Sequence, residues 1–132
     1  MIKRIASIGL LLSAHAAADT PADFMTRYAQ QAGVAVSALS PARGEALYRS
    51  KHPGKNGALQ SCASCHTANP KQAGQTRVGK RIEPLAPSAN PSRFTDAAQV
   101  EKWFRRNCMD VLARECSAQE KGDFIAWLNQ VK

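Results

Sequence analysis

Aromatic residues are scarce, at 6% of the 132 residues, and Val and Ile are few beside Ala, Arg, Gln and Lys. Pleated sheets favour β-branched and aromatic side chains, so their shortage argues against an all-β fold. The short length excludes a TIM barrel, a two-domain dehydrogenase or a kinase, and leaves one small domain. Internal repeats and low-complexity tracts are missing too. With 44% apolar and 21% charged residues, the chain has the balance of a globular protein rather than a disordered one. Stretches of about ten helix formers point instead to an all-α domain.

Residues 1–18 read as a signal peptide. Lys3 and Arg4 are a short basic start, residues 5–12 are apolar, and residues 13–18 supply small side chains. A membrane span needs about 20 apolar residues, so this run is too short to anchor the chain, and nothing later is longer. Cleavage is expected near Ala16 or Ala18, each of which closes an Ala-x-Ala, and no Leu-x-x-Cys of a lipoprotein follows. The expectation is a periplasmic protein whose single domain spans residues 19–132. That domain keeps 16 basic and 10 acidic residues, net +6, a charge that favours acidic partners. The charge is too evenly spread, with too few aromatics between, for nucleic-acid binding.

Four helices are expected. The first runs from Asp19 or Thr20 to Ala32, with Thr20 as cap, Pro21 in the first turn and Gly33 as stop; Phe24, Met25, Tyr28 and Gln31 form its partly apolar face. A linker follows over 34–39. The second helix starts at Ser40-Pro41 and puts Gly44, Leu47 and Tyr48 on one face. A glycine inside a helix costs about 1 kcal/mol against Ala, so Gly44 suggests a close helix crossing. Residues 51–61 read as a turn-rich loop. Residues 69–93 hold four prolines and no helical period, and so long a loop needs something such as a cofactor to pack on. The third helix is expected from Thr95 or Asp96 to about Met109, with Val100, Trp103, Phe104, Asn107 and Val111 on its apolar face. The fourth opens on a capping box, Ser117 with Glu120, and continues to Val131, burying Phe124, Ile125, Leu128 and Val131 with Trp127 at the flank.

Cys62-Ala63-Ser64-Cys65-His66 is the attachment sequence for one covalent haem c. Two thiols three residues apart can reach the two vinyl groups of a porphyrin, which aims the next imidazole at the iron. A thioredoxin-like dithiol would need a βαβ setting, and a zinc site would need a fourth ligand.

With that motif the sequence resembles class I cytochromes c. Gly44 and Tyr48 match the family's Gly-x-x-x-aromatic helix, FIAWLNQ at 124–130 matches its last helix, and Cys62, Cys65 and His66 match its haem-binding residues. The resemblance covers about residues 40–132. It implies one haem clasped by a few helices, with His66 as proximal iron ligand. The chain departs from the family in one place: residues 67–107 contain neither Met nor His, so the usual sixth ligand is missing. His52 and Met109 are left as candidates for a permanent one.

Asn107 is a third candidate. It stands in the apolar stripe of the third helix, where an unpaired buried amide would cost about 1–3 kcal/mol; a helix-end carbonyl would satisfy it equally well. Cys108 and Cys116 are free of haem, and an exported protein would oxidise them to a disulfide that ties down the residue beside Asn107. Asn-Cys-x7-Cys before the last helix resembles the sphaeroides haem protein and cytochrome c double-prime group, class I variants with an Asn or His as labile sixth ligand beside a disulfide. The resemblance implies the Asn-ligated branch, with Asn107 as labile distal ligand, binding of diatomic gases (O2, NO or CO) and electrons from a dihaem cytochrome c. Lys71, Arg77, Lys80, Arg81 and Arg93 lie in the loop expected around the haem and suit an acidic redox partner. Three functions follow: a gas-binding electron carrier, a plain electron shuttle, or a haem enzyme acting on a small nitrogen or oxygen species. No acid–base pair near Asn107 favours the enzyme.

Overall fold

The computed structural model describes residues 16–132, so most of the expected signal peptide lies outside the described residues. Helix α1 spans Pro21–Ala32 and α2 spans Pro41–Arg49. A single turn α3, Ala63–His66, carries the haem motif. Helices α4, Ala97–Leu112, and α5, Ala118–Gln130, close the chain. Two antiparallel hairpins fill the loops. β1, His52–Pro53, pairs with β2, Leu59–Gln60, and β3, Gly74–Gln75, pairs with β4, Arg81–Ile82. No helix among the described residues is long and apolar enough to cross a membrane.

The helix starts are capped as their residue types require. Thr20 accepts from the Asp23 N–H while Asp23 returns a bond to Thr20, and Gly33 stops α1 in the left-handed conformation. Ser40 caps α2, and Ser117 with Glu120 caps α5. α4 runs to Leu112, three residues beyond the expected end, and stops on Ala113 at φ 56° without a glycine. In α1, Gln31 is exposed and Ala29 is buried in its place. In α5, Trp127 is buried rather than flanking, and Val131 falls just past the helix end.

The core forms where α1 and α2 both pack on α5. Phe24, Tyr28, Tyr48, Ile125 and Leu128 are its largest fully buried side chains. A Cβ on Gly44 would run into the Asp123 carbonyl, so α2 and α5 touch backbone to backbone there. The buried Asp123 carboxylate locks this crossing. It accepts from the Ser40 N–H at 2.6 Å and takes both arms of Arg43, Nε at 2.7 Å and Nη2 at 3.0 Å. Cys62, Ala63 and Phe104 pack on the edge of the same core, which brings α3 and α4 to its rim.

Candidate haem site

Cys62 and Cys65 are free thiols one helical turn apart, on either side of Ala63-Ser64. Burial pushes the Cys62 thiol up to about 11. It is therefore a thiol and not a thiolate at neutral pH, the opposite of what a dithiol oxidoreductase requires. The described residues contain no group of three or more His, Cys, Asp or Glu able to hold a metal ion. Burial, helped by the charge of Arg93, lowers the His66 imidazole to about 4. His66 is thus neutral across the physiological range, the form that can donate a lone pair to iron.

Three elements hold this turn. The Tyr48 hydroxyl of α2 donates to the carbonyls of Thr67 at 2.6 Å and His66 at 3.1 Å. Thr67 sits at φ 67°, a conformation that costs a β-branched residue about 1–3 kcal/mol and persists only under tertiary restraint. Its own hydroxyl donates to the Asn69 carbonyl at 2.8 Å. From the other side β3 comes so close that a Cβ on Gly74 would run into the Cys65 carbonyl. A cavity of about 620 Å³ reaches Cys65 and is walled by Thr76, Arg77 and Arg81 of the second hairpin.

Asn107 is exposed, not buried in an apolar stripe as expected. The stripe of α4 that faces protein is Val100, Cys108 and Val111, with Phe104 partly buried. Cys108 occupies the inward position because it is bonded to Cys116. Trp103 and Asn107, four residues apart, form a neighbouring stripe that the rest of the chain leaves open, with Trp103 at 44% exposure. Met109 is also exposed, but it lies two residues on, about 200° round the helix from Asn107. His52 sits on β1 beside α4 with a buried Nε2 that has no hydrogen-bond partner. The end of α4 is gripped by the first hairpin, since the Asp110 carbonyl accepts from Gln60 Nε2 at 2.6 Å and from the Lys55 N–H at 3.1 Å.

The five basic loop residues divide. Arg93 is half-buried and spends its guanidinium on the carbonyls of Pro84 at 2.9 Å and Glu83 at 2.6 Å. Lys71 donates to the Lys132 carbonyl at 2.8 Å. Arg77, Lys80 and Arg81 remain together on the second hairpin. Several contributors escaped the sequence reading: the hydroxyl role of Tyr48, the strained Thr67 and Gly74. Only Gly74 carried a local sign, a glycine between two irregular stretches.

Two free thiols at this spacing, a neutral imidazole next to them and the open Trp103–Asn107 stripe on α4 fit a covalently attached haem. A Cys-x-x-Cys-His turn set at the rim of a glycine-mediated helix crossing is the frame of a class I c-type cytochrome. Residues 34–128 match a family described as a domain of unknown function, DUF1924. The chain is 50% identical over 113 residues to cytochrome c-type protein SHP of Cereibacter sphaeroides, covering 85% of each chain. To cytochrome c'' of Methylophilus methylotrophus it is 43% identical over 130 residues, covering 94% of this chain and 90% of the relative. A structure of oxidized SHP, described as an oxygen-binding cytochrome c, superposes with a TM-score of 0.77 at 47% identity, over 84% of this chain and 96% of that one. The chain belongs to the family of c-type cytochromes that includes SHP and cytochrome c'', and covalently bound haem c and electron transport come with that membership.

Proposed function

We propose that this chain is an exported periplasmic cytochrome with one haem c, an electron carrier whose distal ligand lets go on reduction so that a diatomic gas can bind. In this reading Cys62 and Cys65 form the two thioethers, His66 is the proximal ligand and Asn107 the labile distal one. An acidic protein, such as a dihaem cytochrome c, supplies the electrons. When bound, the haem would supply a one-electron iron centre that can also take a diatomic gas such as O2, NO or CO.

The rest is the work of the chain. Tyr48, Thr67 and Gly74 fix the turn that aims His66. Burial keeps that imidazole neutral, so protons compete for it only near pH 4. Asn107 offers an amide oxygen, a hard neutral donor that favours ferric over ferrous iron. The side chain would therefore suit the oxidised protein better than the reduced one, and once free its amide NH2 would be a hydrogen-bond donor for a gas.

The observation that carries this reading is the open stripe of Trp103 and Asn107, on a helix anchored by the adjacent Cys108. An oxygen-binding relative at this level of identity supports it. Absorption spectra in both redox states, with and without CO, test it. The reduced protein is expected to be high-spin and to take up CO within mixing time. In Asn107→Ala, CO uptake should persist while the ferric spectrum shifts and bound O2 dissociates faster. A low-spin reduced protein that refuses CO would mean a permanent ligand, His52 or Met109, and a plain electron shuttle.

A further inference from the structure

The two hairpins present one continuous surface. The Arg77 guanidinium in the turn between β3 and β4 donates to Gln60 on β2, which joins them side by side. Two large apolar side chains stand out from the joined tips, Leu59 at 70% and Val78 at 89% exposure. They are the two most exposed of the large hydrophobics among the described residues. Residues 51–60 contain Lys51 and Lys55 and no acid, and residues 74–83 contain Arg77, Lys80 and Arg81 against one carboxylate, Glu83. Glu83 is already paired with Arg81 at 2.7 Å. Arg77 and Arg81 also wall the cavity that reaches Cys65.

Resting on the cytochrome reading above, we infer that these two hairpin tips are the docking surface for an acidic redox protein, with Leu59 and Val78 as apolar centre and Lys55, Arg77 and Lys80 as cationic rim. A positive rim steers an acidic partner to the encounter and orients it, while a small apolar centre suits a contact that must also release. Electron-transfer encounters bury less surface than stable complexes, so two hairpin tips suffice. Arg77 of that rim also walls the cavity that reaches Cys65, so a partner seated on it lies near the attachment thiol. One electron passes from the reduced partner to the ferric haem; no bond forms or breaks and no proton moves.

The competing surface is on α4, where Lys102 and Arg106 each lie 5.2 Å from the exposed Trp103 ring. It has one apolar residue rather than two, and its two cations already rest on that ring.

The test uses the oxidised holoprotein with two reductants, a reduced acidic rubredoxin as the protein probe and a neutral reduced flavin as a small probe that needs no docking. The readout is the ratio of the two rate constants, which cancels any damage to the haem site itself. In wild type the ratio is expected to fall about tenfold between about 10 and 200 mM salt. Lys55→Glu with Lys80→Glu should lower the low-salt ratio about tenfold and flatten its salt dependence. Leu59→Ser with Val78→Ser should lower it about threefold and leave the salt dependence intact. Lys102→Glu with Arg106→Glu should leave it within about twofold of wild type. A second readout needs no electron transfer: adding the oxidised rubredoxin to isotope-labelled protein should shift amide resonances of residues 51–60 and 74–82. Hairpin variants with an unchanged ratio, or shifts and slowing confined to Lys102, Trp103 and Arg106, would overturn the proposal. Failure of the neutral flavin to reduce the wild type would instead strike the cytochrome reading itself.

Discussion

The turn that ends in His66 and the helix that carries Asn107 are held in different ways. The turn is gripped from several sides, by Tyr48 of α2 beneath the His66–Thr67 carbonyls, by the bonds of Thr67 to its own loop, and by the backbone of β3 at Cys65. Asn107 stands on an open face, and the ties on its helix gather at one end: the disulfide at Cys108 and the first hairpin at Asp110. A ligand that must stay is over-determined; a ligand that must leave needs freedom to swing while its helix stays put. That contrast is what the proposed roles, a fixed His66 and a releasable Asn107, would need.

The largest effect should come from breaking the first side outright. Cys62→Ala with Cys65→Ala should release all haem into the organic phase on acid–acetone extraction, whereas the wild type should stay red. Opening the second side is the next test. Cys108→Ser with Cys116→Ser removes a closed loop of about nine residues, worth about 2.5 kcal/mol on the entropic account, measurable as a lower denaturation midpoint. Hydrogen exchange should then speed up at residues 105–117 and stay unchanged at 62–67; equal loosening of both would erase the contrast. Tyr48→Phe keeps the ring in the core and removes only its hydroxyl bonds, so a loss of about 1 kcal/mol is expected. A normal disulfide region in that variant would show that the two sides are independent.

The smallest effect concerns pH. Glu101 of α4 accepts from the Tyr28 hydroxyl and from Lys121 Nζ at 2.9 Å. Burial works to raise its carboxyl, but these partners outweigh it and hold the group below its ordinary 4.5. A depressed carboxyl contributes stability above its unfolded value and loses it as pH falls through the folded one. Wild type should therefore exceed Glu101→Gln in denaturation midpoint near neutrality, and the gap should close as pH falls below the ordinary 4.5 and through the lowered folded value. A gap that persists at low pH would mean that packing, not charge, holds α1, α4 and α5 together at that point.

Local rules made much of this legible. Thr20, Ser40 and Ser117 begin helices because each can cap orphan N–H groups, and Gly44 marks the α2–α5 crossing because no side chain fits there. The haem motif reads at sight, since its chemistry is packed into five consecutive residues. The hairpins were not legible: their strands are two residues long, with no room for alternation, and their seats depend on distant backbone at Cys65 and Asp110. The Asn107 stripe was misjudged by one position. Hydrophobicity places Trp103 and Asn107 with Val100, but Cys108 takes the inward place through its bond to Cys116. Asp123 was also missed, because a lone carboxylate in an apolar run looks like a flaw until Arg43 and Ser40, 80 and 83 residues earlier, are brought beside it.

That long reach has a consequence for the order of events in the life of the chain. Both α1 and α2 pack on α5, which follows every other described helix in the chain and so is the last of them to be synthesised. Until it arrives, Gly44 has nothing to cross, Asp123 has no partner, and Tyr48 has no wall to press it under residue 66. The Cys62 thiol, which burial keeps protonated in the finished fold, then lacks the completed core it packs against. Covalent chemistry at the motif therefore has its easiest window early, on a chain still missing its final helix, and docking of α5 closes that window.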